Sequence, residues 1–367
     1  MKKVGIITFH NAHNYGAVLQ TYALQTMIKR LGYNVFIINY INKNIKKSYR
    51  LIKLSKQPIK CIKVLIESLK YLKENKERAK VFNYFIEHEL NLTKKVKNTK
   101  KLNTEFNDFD YFITGSDQVW NYEIVGGLSD AYTLNFGNKS ITRISYAASI
   151  GNRKINDKYK QQFKEKLKNI NFISVREEDA RQELSKIIGK TIKVVLDPTL
   201  LLKREDWNNK LKDRKIQNEE YILAYVVKPN DEYRKIVDDL SQRTGLRVIH
   251  FEKENLYENE LESAYTKDPF EFVNLIKNAK YIVTTSFHAT VFSIIYHKKF
   301  FVIPHVNTGS RITSLLEKLK IENRIFYKLN DFLKFDYDLE INYEQIDENL
   351  EEERIKSIQF LKEALKK

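Results

Sequence analysis

The sequence predicts an α/β fold of two successive halves, each built on a parallel sheet. Three observations carry that expectation. At 367 residues the chain is too long for one ordinary hydrophobic core, which points to two domains. Short runs of β-branched and aromatic residues alternate with stretches of helical periodicity, the pattern of βαβ units rather than of hairpins. The most compact of these units, KYIVTTSFHATVFSIIYHKKFFVIP over 280–304, reads as strand, tight turn, buried helix, strand.

Residues 4–9 form the first buried strand, followed by a polar turn over 10–15 and a helix that stops at Gly32. The second strand is 35–39. This βαβ lacks G-x-G-x-x-G, so no dinucleotide cofactor is expected, yet Asn14-Tyr15-Gly16 lets backbone approach a ligand closely. His10 and His13 have no third ligand beside them, and no metal is expected. Residues 43–101 interrupt the sheet as two or three basic helices, with Leu65, Leu69 and Leu72 as a packing stripe. The sheet resumes at 110–114. Its end, Gly115-Ser116-Asp117, has the composition of a ligand loop, although Asp117 could equally cap the next helix. A strand at 144–148, a helix at about 158–168 and a strand at 172–177 follow. Arg176, at the end of that last strand, has a fork suited to carboxylate or phosphate; an ion pair with Glu177 or Asp179 is the alternative. A helix over 178–186 and a run at 194–198 close this half, and 201–219 reads as a linker.

The second half begins with a strand at 221–227, a helix at 232–243, a strand at 246–251 and a helix at 269–277. In the compact unit that follows, Ser286 can cap a helix whose first turn carries His288. Both fall at the carboxyl end of a strand, where open α/β sheets bind ligands, and the free amides of a helix start favour anions. A plain cap and a satisfied turn histidine are the alternative. Thr308-Gly309-Ser310-Arg311 opens another helix, with Arg311 beside a second amide cluster. The tail, 343–367, is a charged helix expected to pack on the body through Ile355, Ile358 and Leu361. The expected domains are thus 1–205 with an insertion at 43–101, then 206–342, then the helix 343–367.

Charge is uneven. The net charge is +17, and 43–101 holds 18 Lys/Arg against 5 Asp/Glu, or +13. Peripheral contact with an anionic membrane is one reading of that segment, and a solvated helical face in a lysine-rich chain is the other. The basic residues lack regular aromatic interleaving, so no nucleic-acid partner is expected. No run of 18 apolar residues exists, and the apolar stretch after Met1-Lys2-Lys3 is cut short by His10-Asn11, so neither a membrane span nor a signal peptide is expected. A single cysteine, Cys61, fits a reducing cytoplasm.

Six blocks in order, NYGAVLQTYALQ (14–25), ITGSDQVWN (113–121), ISYAASIG (144–151), SVREEDA (174–180), VLDPTLLL (195–202) and SFHATVFSIIYHKKF (286–300), resemble the polysaccharide pyruvyl transferase family. The resemblance covers roughly residues 3–325. Each block is weak alone, and their shared order is specific. The resemblance implies a GT-B-like fold, two Rossmann-like domains facing a central cleft. It further implies phosphoenolpyruvate as donor, no cofactor, and a sugar acceptor, soluble or lipid-linked, of a cell-surface polysaccharide precursor. Two acceptor hydroxyls would be bridged by a pyruvate ketal. A polyanionic donor needs cationic and amide partners, which Arg176, Arg311, Ser286 and the amides near His288 would supply. His288 matches the motif histidine and is the candidate acid or phosphate contact; Asp117 is the candidate to bind or deprotonate an acceptor hydroxyl. Asn14, Tyr15, Gly16, Gly115 and Ser116 complete the expected substrate contacts. Ala289 stands where glycine is common in the family, and the basic insertion matches no feature of it. A GT-B-type glycosyltransferase using a nucleotide sugar is the alternative. Either would be a cytoplasmic enzyme, with peripheral attachment at the inner membrane face as one reading of the basic segment and a solvated face as the other.

Overall fold

The computed structural model describes residues 1–52, 58–227, 231–254, 256–305 and 309–366. They divide into two compact units. The first comprises Met1–Arg50, Asn83–Leu202 and Leu350–Lys367; the second comprises Leu51–Phe82 and Lys203–Asn349.

The chain opens with β1 (Lys3–Ile7), α1 (Tyr15–Arg30), β2 (Asn34–Ile37) and α2 (Lys43–Ser48). The helices α3 (Pro58–Lys70) and α4 (Leu72–Glu89) follow, then α5 (Thr99–Glu105), β3 (Tyr111–Thr114) and the short α6 (Tyr122–Val125). The first sheet is completed by β4 (Thr142–Ala148), α7 (Asp157–Leu167), β5 (Phe172–Val175), α8 (Glu178–Ile188) and β6 (Ile192–Val194). Its six strands run in the order β2-β1-β3-β4-β5-β6, every neighbouring pair parallel, with Val4 facing Tyr111 and Ile113 facing Ile144. Helices cover the faces of such a sheet, which is why β3 is buried at all four positions and reads as a continuous apolar run. Phe112, Trp120, Tyr132, Phe163 and Leu184 form the core on one side.

The basic stretch is shared between the units. Its middle, 51–82, belongs to the second, because the Tyr71 hydroxyl donates to Glu254, Arg78 Nη1 donates to Tyr265 O at 2.5 Å, and Tyr265 Oη donates to Asn75 at 2.9 Å. Of the expected packing stripe, Leu65 and Leu72 are half-buried and Leu69 faces solvent.

The second unit runs through α9 (Arg204–Leu211), β7 (Tyr221–Tyr225), α10 (Asp231–Thr244), β8 (Arg247–His250), β9 (Glu260–Ser263) and α11 (Pro269–Asn278). It continues with β10 (Tyr281–Thr284), α12 (Phe287–Ile295), β11 (Lys299–Val302), α13 (Ser310–Leu319) and α14 (Leu329–Leu333). Its parallel sheet has the order β11-β10-β7-β8-β9. The stretch read as a linker contains α9, anchored by Trp207, whose buried ring meets Phe292 edge-on at 4.9 Å. The last helix, α15 (Tyr343–Leu365), belongs to the first unit from Leu350 onward. There Arg354 Nε donates to Leu200 O at 2.8 Å, Ser357 Oγ accepts from Leu196 N at 2.9 Å, and the Tyr33 and Tyr111 hydroxyls donate to Leu365 O. Leu361 is buried in this packing, Ile358 half-buried, and Ile355 is 60% exposed. Among the described residues no helix is long and apolar enough to cross a membrane.

Candidate active site

In a parallel sheet every strand delivers its carboxyl end to one edge, and the loops there collect the candidate residues of the first unit. Thr8, just past β1, donates its hydroxyl to Ser116 O at 2.8 Å. Gly115 presses its α-carbon between Thr8 and Leu24, where a Cβ would sit 3.2 and 3.3 Å from their carbons. Ser116 Oγ donates to Asp197 Oδ2 at 2.6 Å, and Arg176 Nη1 donates to the same oxygen at 2.8 Å and to Ser116 Oγ at 3.2 Å. The other Asp197 oxygen accepts from Thr199 N at 3.0 Å and Thr199 Oγ1 at 2.6 Å. Arg176 Nε lies 4.0 Å from Glu177 Oε2, and Glu177 Oε1 in turn accepts from Ser149 Oγ at 2.7 Å and Ile150 N at 3.1 Å. The Arg176 and Asp197 side chains are only 2% and 0% exposed. One guanidinium and two carboxylates thus tie the ends of β3, β4, β5 and β6 together in a dry network. The carboxylate that grips Arg176 most closely is Asp197, with Glu177 further off.

Asp117 follows Ser116 and is half-exposed, with φ at +79°. Aspartate is among the residues that tolerate this region. Its carboxylate accepts from Gln118 N at 2.8 Å, and its carbonyl accepts from Ser149 N at 3.0 Å. The cap of α6 is Asn121, not Asp117. Gly151 packs under this turn with φ +74°; a Cβ there would lie 2.3 Å from Gln118 Oε1 and 2.4 Å from Asn121 Nδ2. At the end of β1, Asn14 caps α1 by accepting from Ala17 N at 3.1 Å, Tyr15 is wholly buried and Gly16 is buried beside it. His10 is buried between Thr8 O at 3.3 Å and Asn39 Oδ1 at 3.2 Å, and burial holds its pKa below the ordinary histidine value.

In the second unit the carboxyl ends of β10 and β11, neighbours in the sheet, each open into a helix. Thr284 Oγ1 donates to Tyr225 O at 2.6 Å and accepts from Ser286 N at 3.0 Å, fixing the turn. Ser286 then caps α12, its hydroxyl accepting from Ala289 N at 3.4 Å. All nine residues of α12 are buried; Thr290 and Ser293 turn their hydroxyls back onto the carbonyls of Ser286 and Ala289, and in the first turn His288 lies edge-on to the Phe287 ring at 5.2 Å. After β11 the chain passes Pro304 and His305, then re-enters the described residues at Gly309; Thr308 lies outside them. A Cβ on Gly309 would come within 2.7 Å of His305 O, so only glycine fits that approach. Ser310 opens α13 buried, and Arg311 is half-buried in its first turn. The helices α12 and α13 pack against each other. His288, Ser286 and Arg311 therefore share one edge of one unit.

Another buried histidine lies at the end of β8. His250 Nδ1 is 3.0 Å from Glu252 Oε2 and Nε2 is 3.1 Å from Glu260 Oε2. Burial opposes its charge, but the two flanking carboxylates together raise its pKa above the usual value. A pocket of about 380 Å³ opens at the amino ends of β10 and β11, the opposite edge from His288, where Lys299 pairs with Asp338 and Glu340. Among the described residues no three His, Cys, Asp or Glu side chains are grouped to hold a metal ion.

Solved structures similar to this chain include the UDP-GlcNAc 2-epimerase of Neisseria meningitidis bound to UDP-GlcNAc (10% identity, TM-score 0.52, covering 100% of this chain and 99% of that one). The UDP-N-acetylglucosamine 2-epimerase of Rickettsia bellii is another (10%, TM-score 0.50, 98% and 96%), as is an O-GlcNAc transferase mutant of Thermobaculum terrenum (9%, TM-score 0.50, 99% and 66%). At such low identity these define the class of fold, a GT-B-type α/β enzyme fold. The family model of polysaccharide pyruvyl transferase matches residues 14–307. The chain belongs to the polysaccharide pyruvyl transferase family, a family of transferases in polysaccharide biosynthesis. No curated protein matches it in sequence.

The network behind Arg176 was only partly legible. Asp197 lies in the run that closes the first half, but nothing in local spacing links it to Ser116, 81 residues away. Glu177 and Ser149 are likewise joined only through the sheet order.

Proposed function

We propose that this enzyme transfers the pyruvyl group of phosphoenolpyruvate to two hydroxyls of a sugar, forming a ketal on a lipid-linked precursor of a cell-surface polysaccharide at the cytoplasmic membrane face. The observation that carries this reading is the pairing of His288 with the opening turns of α12 and α13 on adjacent strands, with Arg311 in the second turn start. Helix-start amides and a guanidinium suit a phosphate and a carboxylate on one small donor. In the reaction, His288 gives a proton to the donor's methylene carbon, and the adjacent carbon becomes oxocarbenium-like. An acceptor hydroxyl attacks it, and its proton returns to the His288 imidazole. The second hydroxyl then displaces phosphate, which carries away the second proton. The network of Arg176, Asp197 and Ser116 holds the Asp117 turn in place.

The test is thermal unfolding with phosphoenolpyruvate against UDP-sugars, without added metal. Stabilisation by phosphoenolpyruvate alone is expected. Stabilisation by a UDP-sugar and none by phosphoenolpyruvate would replace this reading with the nucleotide-sugar glycosyltransferase.

A further inference from the structure

We propose that α3 is a membrane-docking helix, laying Ile62, Ile66 and Leu69 into the headgroup layer of an anionic bilayer. The proposal rests on the membrane-side reading above for its biological sense, while its test needs neither donor nor acceptor. These three side chains are 62%, 61% and 52% exposed. At roughly 100° per residue they fall in one stripe about 60° wide, and the buried Ser68 lies about 100° or more from each. The half-buried Val64 lies further round still. The helix therefore already has a face turned to its own unit, and Tyr71, just past its end, is fixed there by Glu254. The exposed row is a second apolar face, one that water alone leaves uncovered at a cost.

Charge indicates what covers it. Residues 51–82 hold nine Lys/Arg against three Asp/Glu, a net +6 within a chain of +17. A second copy docked through the same stretch would bring two segments of like net charge together. Single-stranded nucleic acid is gripped by stacking aromatics, and this row is aliphatic. An anionic lipid surface meets both features, headgroups taking the cations and the acyl boundary taking the apolar row. At 13 residues α3 is too short to span a bilayer, so it would lie in the interface.

The experiment is flotation of the full-length protein with vesicles of phosphatidylcholine, with and without an equal share of phosphatidylglycerol. Binding to the anionic vesicles at low salt and none to the neutral ones is expected. The triple variant Ile62→Ser, Ile66→Ser, Leu69→Ser should lower partitioning on the order of 100-fold, with an unchanged circular dichroism spectrum and an unchanged thermal response to phosphoenolpyruvate. In Ile66→Trp, added fluorescence quenched by brominated lipid would locate the row in the bilayer. Equal binding by wild type and triple variant overturns the proposal in favour of a purely electrostatic face. No binding even at low salt overturns it too, as does a wild-type dimer that the triple variant dissolves without any vesicle binding. A missing phosphoenolpyruvate response with intact vesicle binding would count against the donor and leave the docking helix standing.

Discussion

Replacing Arg176 with methionine removes a guanidinium from the driest part of the first unit while keeping most of its aliphatic length. Asp197 would stay, 0% exposed, keeping its bonds from Ser116 and Thr199 but no neighbouring cation at 2.8 Å. Breaking one side of a buried pair costs about 3–5 kcal/mol, because the remaining charge is desolvated and uncompensated. Glu177 adds less to that figure, since it lies 4.0 Å from the guanidinium and keeps Ser149 and Ile150. In units of roughly 150–250 residues each kcal/mol moves the unfolding midpoint by about 2–4 °C, so a fall of roughly 6–20 °C is expected. Thermal unfolding by circular dichroism reads it. The companion variant Arg176→Met/Asp197→Leu carries neither charge and should regain at least half of the loss, because swapping a whole buried pair for apolar groups is close to neutral. A single variant that loses less than about 1 kcal/mol, or a double variant in which the two losses simply add, would refute the argument. The guanidinium would then be balanced by something other than Asp197.

His288→Gln keeps a hydrogen-bonding side chain but no titratable proton, and should lower kcat on the order of 10²-fold or more; unchanged turnover in a folded variant would remove His288 as the acid. Arg311→Lys keeps the charge and loses the fork, so the apparent KM for phosphoenolpyruvate should rise more than that for the sugar, and equal rises would speak against donor binding. His250 offers a pH test. Because its folded pKa is raised by Glu252 and Glu260, the stability it contributes is complete below about 6.5, its unfolded value, and is lost as pH climbs through the raised value. Unfolding midpoints of the wild type should therefore fall across that window and those of His250→Gln should lack the step, whereas parallel curves would contradict the pairing.

What the sequence reveals and what it hides follow from the same physics. Strands such as β10 and β11 are covered on both faces, so burial writes itself into the sequence as Tyr281-Ile282-Val283-Thr284 and Phe300-Phe301-Val302. The edge strand β9, Glu260–Ser263, is half-buried at every position and charged, so it has no alternation to read. Helix α9 has two buried apolar anchors, Trp207 and Leu211, in an otherwise polar octet, too few to set a period. In α15 the expected stripe includes Ile355, yet the chain turns Arg354 and Ser357 inward, because Leu200 O and Leu196 N need partners. A polar residue recruited by a distant backbone group is invisible to hydrophobic periodicity. The candidate site divides along the same line. Ser286 and His288 are legible since cap, turn and helix are contiguous, whereas the partner that holds Arg176 arrives from another strand, 21 residues on. A strand-terminal arginine advertises its charge in sequence, and only the sheet order decides which carboxylate meets it, because β5 and β6 must first lie side by side.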